Sequence, residues 1–169
     1  RLFECKKPIV GAIEGPAIGG GLGLAMVADF RVTCSEARFS ANFTRLGFHP
    51  GFGLTETLPA VVGQQNANLI FLTSRRFNGE EAYAMGLADI LVAQKEVRTA
   101  ARSLASEIAE NSPLGIAETR ATMRNGIGER VRAATARELE IQTRLKATAD
   151  FKEGVSAMSE RRMPNFSGS

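Results

Sequence analysis

A run of three glycines is the clearest sign of chemistry in this chain. Gly19, Gly20 and Gly21 follow the apolar segment 9–13 and lead into a helix-like segment, a pattern that predicts a strand, a glycine turn and a helix start. The N–H groups in the first turn of a helix lack intrahelical partners and carry the positive end of the helix dipole, and glycine lets an oxygen approach them closely. The turn therefore suggests an oxyanion hole. The alternative is a plain tight turn that brings a helix close to a strand.

The residues around the glycines argue against a nucleotide site. A phosphate-binding loop needs Lys-Ser or Lys-Thr after its last glycine, where this chain has Leu24 and Ala25. A dinucleotide-binding turn needs its second and third glycines three residues apart, but Leu24 stands three residues after Gly21. Recognition of an oxyanion by the backbone remains the functional interpretation of this turn.

Composition and charge are those of an ordinary soluble protein. The 169 residues, 44% of them hydrophobic, are enough for one core and most simply form one domain. Apolar runs fall short of the ~20 residues that a membrane span needs, and no charged-then-apolar leader opens the chain, so we expect a cytoplasmic protein without a membrane partner. Cys5, Cys34 and the single histidine, His49, fit neither a disulfide framework nor a metal site.

The net charge of +3 resides in the C-terminal part, where basic and acidic residues are interspersed. This mixture, without interleaved aromatic residues, is typical of a solvated helix surface, with an acidic ligand as the alternative. We expect no nucleic-acid partner.

Hydrophobic periodicity divides the chain into a mixed first part and a helical second part. The predicted strands are 9–13, 30–34, 38–40 and 88–92, and the predicted helices are 22–28, 54–73, 78–86, 97–108, 113–124, 129–147 and 151–163. A loop rich in turn residues is expected over 46–53. Asp150 and Glu153 suggest a capping box for the last helix, and residues 165–169 are expected to fray. The apolar stripe over 97–108 is expected to lie in the core or in an interface.

Three sequence blocks together resemble the enoyl-CoA hydratase/isomerase (crotonase) superfamily over essentially the whole chain. They are Lys7 through Gly21, the Leu-Gly-x-x-Pro-Gly segment 46–51 with Leu-Pro at 58–59 and Val-Gly at 62–63, and the segment 150–164 with Glu-Arg-Arg at 160–162. The resemblance implies an α/β fold, a crotonase-like spiral of ββα units followed by C-terminal helices. It assigns residues 1–95 to the C-terminal part of the core, with an N-terminal half expected to precede them. Residues 96–169 become a helical region for oligomerisation and active-site cover, and the expected assembly is a homotrimer or a hexamer.

The resemblance also implies an acyl-CoA thioester as substrate, with coenzyme A as part of that substrate, no separate cofactor and no metal. Members of this family stabilise the enolate oxygen of the thioester with two backbone N–H groups. One donor maps onto Gly20, and the other belongs to a loop in the N-terminal half. A preorganised donor of this kind contributes ~3–4 kcal/mol to stabilisation of the transition state. The residues expected to contact the substrate are Pro16, Ile18, Gly19, Asn42, Phe43 and Leu46.

The acid/base positions of the family carry other residues in this chain. Hydratases of the family use two glutamates that flank a water, and the corresponding positions are Gly23 and Phe43. A further acid, used by dienoyl isomerases, falls on Gly51. Glycine and phenylalanine do not transfer protons, so hydration by paired carboxylates is not expected.

His49 is the first candidate for a relocated acid or base, because an imidazole titrates near pH ~6.5 and this one lies in the turn-rich loop. The alternative is that His49 caps or packs that loop. The other nearby polar side chains belong to Asn42, Thr44, Arg45 and Glu56.

Two functions follow from these residues. The first is a non-standard acyl-CoA enzyme of the lyase or isomerase class, belonging to fatty-acid metabolism. The second is an acyl-CoA-binding homologue without turnover. In either case Arg161 and Arg162 are expected to reach a coenzyme phosphate or to remain solvated.

Overall fold

The structure is a computed structural model that describes residues 2–169. Its strands are β1 (Val10–Ile13), β2 (Pro16–Ile18), β3 (Phe30–Thr33), β4 (Arg38–Ser40), β5 (Phe77–Asn78) and β6 (Ile90–Leu91). Its α-helices are α1 (Gly20–Ala25), α2 (Leu54–Thr73), α3 (Gly79–Ala84), α4 (Val97–Ala109), α5 (Pro113–Met123), α6 (Ile127–Leu145) and α7 (Ala149–Ser159).

The six strands form two three-stranded sheets. One sheet has the order β1-β3-β6 and is parallel, with Val10 opposite Phe30. The other has the order β2-β4-β5, with Pro16 opposite Arg38 in its parallel pair and β5 antiparallel to β4. The units β1-β2-α1 and β3-β4-α2 each add one strand to each sheet, and β5 and β6, on either side of α3, then add the third strand to each. This is the α/β spiral of ββα units, followed by helices, that the sequence predicts.

The core lies between the two sheets and the helices α1 and α2. Phe39 of β4 and Phe77 of β5 stack at its centre, with ring centroids 5.6 Å apart. Both rings are buried, and each such side chain contributes about 1.5–3 kcal/mol of apolar burial. Other large buried side chains come from α1, β3, α2 and α4, namely Leu22, Val32, Leu54, Leu58, Ile70 and Val97.

Helix α4 packs on the parallel sheet. Its residues Val97 and Ala101 are buried, and the helix contacts both β1 and β3. The predicted core position is confirmed for these two residues, whereas Leu104 and Ile108 are half-buried and Ala105 is exposed.

Helix α1 begins earlier and ends earlier than the predicted range 22–28. Gly19 adopts φ 53° and turns the chain directly before Gly20, so the helix starts within the glycine run. It ends at Ala25 because the chain must turn to enter β3, where the N–H groups of Asp29 and Phe30 both donate to the Ile9 carbonyl. Strands β2 and β5 were not predicted, since three and two residues are too few to show a periodicity.

The predicted capping box at Asp150 is wrong, and so is the frayed tail. Thr148 caps α7 instead, accepting the Phe151 N–H at 3.1 Å. The Asp150 carboxylate accepts the N–H groups of Ser167 and Gly168, at 2.7 and 3.0 Å. The carboxylate expected to cap the helix therefore fastens residues 167–168 onto it.

Among residues 2–169, no α-helix has both the length and the apolar character needed to cross a membrane.

Candidate active site

The glycine turn joins β2 to α1. The Gly19 N–H donates to the Ser40 carbonyl at 2.8 Å, which fixes the turn against β4. The first intrahelical bond of α1 runs from the Gly23 N–H to the Gly19 carbonyl at 3.1 Å, so the N–H of Gly20 precedes the helical ladder. Pro16 and Ile18 belong to β2 and lead directly into this turn.

Two of the candidate substrate residues lie against the turn. A Cβ placed on Gly19 would be 3.1 Å from Asn42 Oδ1 and 3.8 Å from Phe43 Cζ. The Phe43 ring is only 8% exposed and belongs to the hydrophobic core. Leu46 follows them, and its backbone packs on α7, because a Cβ on Gly154 would lie 2.5 Å from the Leu46 carbonyl carbon.

Phe52 is the residue that sequence reasoning missed at this site. Its ring lies on the face of α1 that carries Gly20 and Gly23. A Cβ on Gly20 would lie 2.7 Å from Phe52 Cε2. A Cβ on Gly23 would lie 2.9 Å from Phe52 Cγ and closer still to Phe52 Cβ. Neither glycine can therefore carry a side chain while Phe52 keeps this position.

The backbone at Phe52 is unusual as well. Its φ is 63°, in the left-handed region that a bulky residue rarely adopts, and its side chain is 60% exposed. The cost of such a conformation is about 1–2 kcal/mol. A sequence signal did exist, since Phe52 stands between Gly51 and Gly53 in the turn-rich loop.

Helix α6 holds this loop in place from the other side. The Glu138 carboxylate, 1% exposed, accepts the Gly53 N–H at 2.7 Å, the Thr55 N–H at 3.1 Å and the Thr55 hydroxyl at 2.6 Å. The Gln142 side-chain amide donates to the His49 carbonyl at 2.9 Å. Glu138 thus supplies the cap that Gly53, lacking a side chain, cannot give to α2.

The His49 imidazole makes a local hydrogen bond, with Nδ1 2.8 Å from the Pro50 carbonyl oxygen. Because a carbonyl only accepts, Nδ1 carries the proton in this bond, and Nε2 is then the proton acceptor of the neutral ring. This bond within the loop agrees with a structural role for His49. It also selects the tautomer that a base acting through Nε2 requires.

Two of the other polar candidates are engaged in structural bonds. The Thr44 hydroxyl donates to the Phe71 carbonyl at 2.8 Å, and Glu56 pairs with Arg130 at 2.6 Å. Arg45 forms no ion pair with a carboxylate among residues 2–169, and its guanidinium contacts Met163 Sδ at 3.7 Å.

Comparison with known proteins places this site in context. The family model for enoyl-CoA hydratase/isomerase matches residues 1–169. The chain belongs to the enoyl-CoA hydratase/isomerase family. It is 35% identical to a crotonyl-CoA hydratase of Syntrophomonas wolfei over 167 residues, which are 98% of this chain and 64% of that protein. It is 34% identical to a carnitinyl-CoA dehydratase of Proteus mirabilis, over 99% of this chain and 66% of that protein.

The crotonase-like fold is confirmed by a solved structure of the family. The enoyl-CoA hydratase/isomerase of Pseudoalteromonas atlantica T6c superposes with a TM-score of 0.90 and 34% identity, over 98% of this chain and 67% of that one. The chain spans somewhat less than two thirds of the first curated relatives it matches, with coverages of 64%, 62% and 57%.

Within this family the two positions expected to hold glutamates are both closed to a carboxylate here. Gly23 is buried under Phe52, and Phe43 is buried in the core. Gly51 differs from Gly23, because a Cβ there would lie 2.7 Å from the side-chain nitrogen of Gln142, the end of a flexible side chain that can move aside.

A basic cavity of about 930 Å³ opens beside Asn42. Arginines line it, namely Arg45, Arg75, Arg76, Arg161 and Arg162. Arg162 is held by Glu153 and Glu160, at 2.5 and 2.7 Å, and these hydrogen bonds raise the pKa of its guanidinium. Of the two arginines considered for a coenzyme phosphate, Arg162 is thus engaged within α7 and the tail, and Arg161 lines the cavity.

Proposed function

We propose that the protein binds a coenzyme A thioester and stabilises its enolate through the backbone N–H of Gly20, without the paired carboxylates used for hydration. The family match over residues 1–169 supports the substrate class. The packing of Phe52 on Gly20 and Gly23 supports the other two parts of the proposal. It leaves the backbone N–H of Gly20 as the donor, and it leaves no room for an acidic side chain at position 23.

The chemistry follows from where charge develops. When a proton leaves the carbon next to a thioester, negative charge builds on the thioester oxygen. A donor already fixed by the turn pays no reorganisation cost as the charge appears, which is worth ~3–4 kcal/mol. Because the Gly19 N–H is held by Ser40, the neighbouring Gly20 N–H has a fixed direction. We place the second donor in the N-terminal half of the family fold.

We assign the proton transfer to His49, acting through Nε2. Its Nδ1–H is engaged by the Pro50 carbonyl, which orients the ring and selects the basic nitrogen. Reactions open to such a site include isomerisation, decarboxylation, hydrolysis and hydration of an unusual substrate, in the lyase or isomerase class. Pro16, Ile18, Asn42, Phe43 and Leu46 line the acyl site in this proposal.

The second candidate function is acyl-CoA binding without turnover. The buried Phe43 and the Phe52 ring favour it, because they leave apolar walls where the family places its acids. The two functions differ in whether any side chain transfers a proton.

We further propose a homotrimer or hexamer in the cytoplasm. Large apolar side chains are exposed on the C-terminal helices, among them Leu114, Met123 and Leu139. In this proposal they belong to a contiguous apolar patch, the kind of surface that another subunit covers.

Turnover by the natural full-length protein tests the proposal. We would measure steady-state rates on enoyl-, dienoyl-, β-keto- and malonyl-type thioesters, for the wild type and for His49→Ala and His49→Asn. The asparagine amide keeps a donor for the Pro50 carbonyl but lacks the basic nitrogen. Loss of turnover in both variants supports His49 as the acid/base group, and recovery in His49→Asn shows a structural role instead. Binding of the thioesters without turnover by the wild type favours the second function.

A further inference from the structure

We propose that Phe52 selects the acyl group, by forming an apolar wall beside Gly20 that rejects thioesters with a hydroxyl on the β-carbon. The inference rests on the proposed function, because it takes the Gly20 N–H as the place where the thioester oxygen binds. It adds a specificity-determining residue that the family's acid/base positions do not include.

The Phe52 ring lies next to the proposed donor. Phe52 covers the face of α1 between Gly20, the proposed donor, and Gly23, one turn further along. A thioester oxygen bound at Gly20 brings the α- and β-carbons within a few ångströms of that donor. The acyl group must therefore pass along the exposed part of the Phe52 ring.

The wall is held rigidly. Glu138 fixes the backbone on one side of Phe52 through the Gly53 N–H, and Gln142 fixes the other side through the His49 carbonyl. The left-handed backbone of Phe52 persists against its conformational cost, as is common where surrounding structure serves a site. Rotation of the side chain does not clear the space over Gly23, because the Phe52 Cβ already fills it.

The wall offers nothing to a hydroxyl group. Gly23 has no side chain, and Phe43 and Phe52 present only carbon. A β-hydroxyl that faces this wall, rather than the Asn42 amide or His49, loses water without gaining a hydrogen bond, which weakens binding by about tenfold. An acyl group with a double bond or a saturated chain at the same carbon keeps its contact with the ring.

Binding constants of two matched thioesters test the inference on the natural full-length protein. Calorimetry would give the Kd of crotonyl-CoA and of 3-hydroxybutanoyl-CoA, which differ by the water added across the double bond. We expect the wild type to prefer crotonyl-CoA about tenfold. Phe52→Ala should reduce this preference to about twofold or less, because the space opened beside Gly20 lets water reach the hydroxyl.

Two further variants complete the test. Phe166→Ala removes another exposed phenylalanine, from the C-terminal tail, and should keep the wild-type preference. Phe52→Leu keeps an apolar side chain at this position and should also keep the preference for crotonyl-CoA. This variant provides the test if Phe52→Ala does not fold. If Phe52→Ala prefers crotonyl-CoA as strongly as the wild type does, the role of Phe52 is overturned. The same holds if Phe52→Leu loses the preference. Either result leaves the proposed function standing. Failure of the wild type to bind either thioester overturns both.

Discussion

Replacing Gly23 by alanine is expected to destabilise the protein, although alanine is the better helix former. The new Cβ would lie 2.9 Å from Phe52 Cγ and closer still to Phe52 Cβ, where ordinary contacts begin at 3.4 Å. Overpacking of this kind costs about 1–3 kcal/mol, and the upper end applies because a Cβ moves only with its backbone. Alanine regains about 1 kcal/mol of helix propensity. The free energy of unfolding should therefore fall by about 2 kcal/mol.

The same change should become favourable once Phe52 is removed. Phe52→Gly deletes the clashing Cβ and suits the φ of 63°. In that background Gly23→Ala should stabilise the protein by about 1 kcal/mol, so the coupling energy between the two positions is about 3 kcal/mol.

Urea unfolding of the four proteins in this cycle measures the coupling, provided that the m-value stays constant. Gly21→Ala is the matched control, because it lies in the same helix and a Cβ there meets nothing within 4 Å. It should be stabilising with or without Phe52. If Gly23→Ala raises stability as much as Gly21→Ala does in the wild type, the placement of Phe52 over α1 is wrong.

Three other measurements test the site and its supports. Gly20→Val should reduce turnover of any thioester substrate at least 100-fold by obstructing the oxyanion donor, and unchanged rates would contradict the role of Gly20. Glu138→Gln keeps one acceptor oxygen for the three donors of the loop and α2, so urea unfolding should show a loss of about 1–3 kcal/mol, and no loss would contradict the capping role. Hydrogen bonds from Arg162 and the Asn165 N–H lower the pKa of Glu153 from 4.5 to about 2, so its hold on the tail is complete above pH 4.5 and is lost as the pH falls toward 2. Backbone ¹⁵N relaxation of Asn165 and Phe166 should report increasing motion over that range. Glu153→Gln should show it already at neutral pH, where Asp150 still holds Ser167 and Gly168.

The sequence predicted the glycine turn of the candidate site better than the side chains that surround it. The glycine turn and the helix start at Gly20 are local and are indicated by the three glycines, whereas β2, which leads into the turn, was not predicted. Phe52 was out of reach because its position depends on a left-handed backbone and on Glu138, which bonds to the loop from 85 residues away. In the sequence, Glu138 looks like one more charge on a solvated helix, yet it is buried.

The C-terminal segment shows a second limit of sequence reasoning. Asp150 has the spacing of a helix cap, and only tertiary structure shows that Thr148, two residues earlier, takes that role. Charged side chains near a helix start satisfy either local or distant N–H groups, and the pattern alone does not distinguish them.

The hydrogen bond between Gly53 and Glu138 joins residues that are 85 positions apart, so the two are synthesised at different times. The glycine turn and the loop around Phe52 leave the ribosome well before α6 does. Until Glu138 emerges, the start of α2 lacks its cap and the loop lacks the partner that fixes its geometry. The loop beside the glycine turn therefore takes its final geometry only late in synthesis, and a chain that stops before residue 138 lacks the three hydrogen bonds that Glu138 accepts.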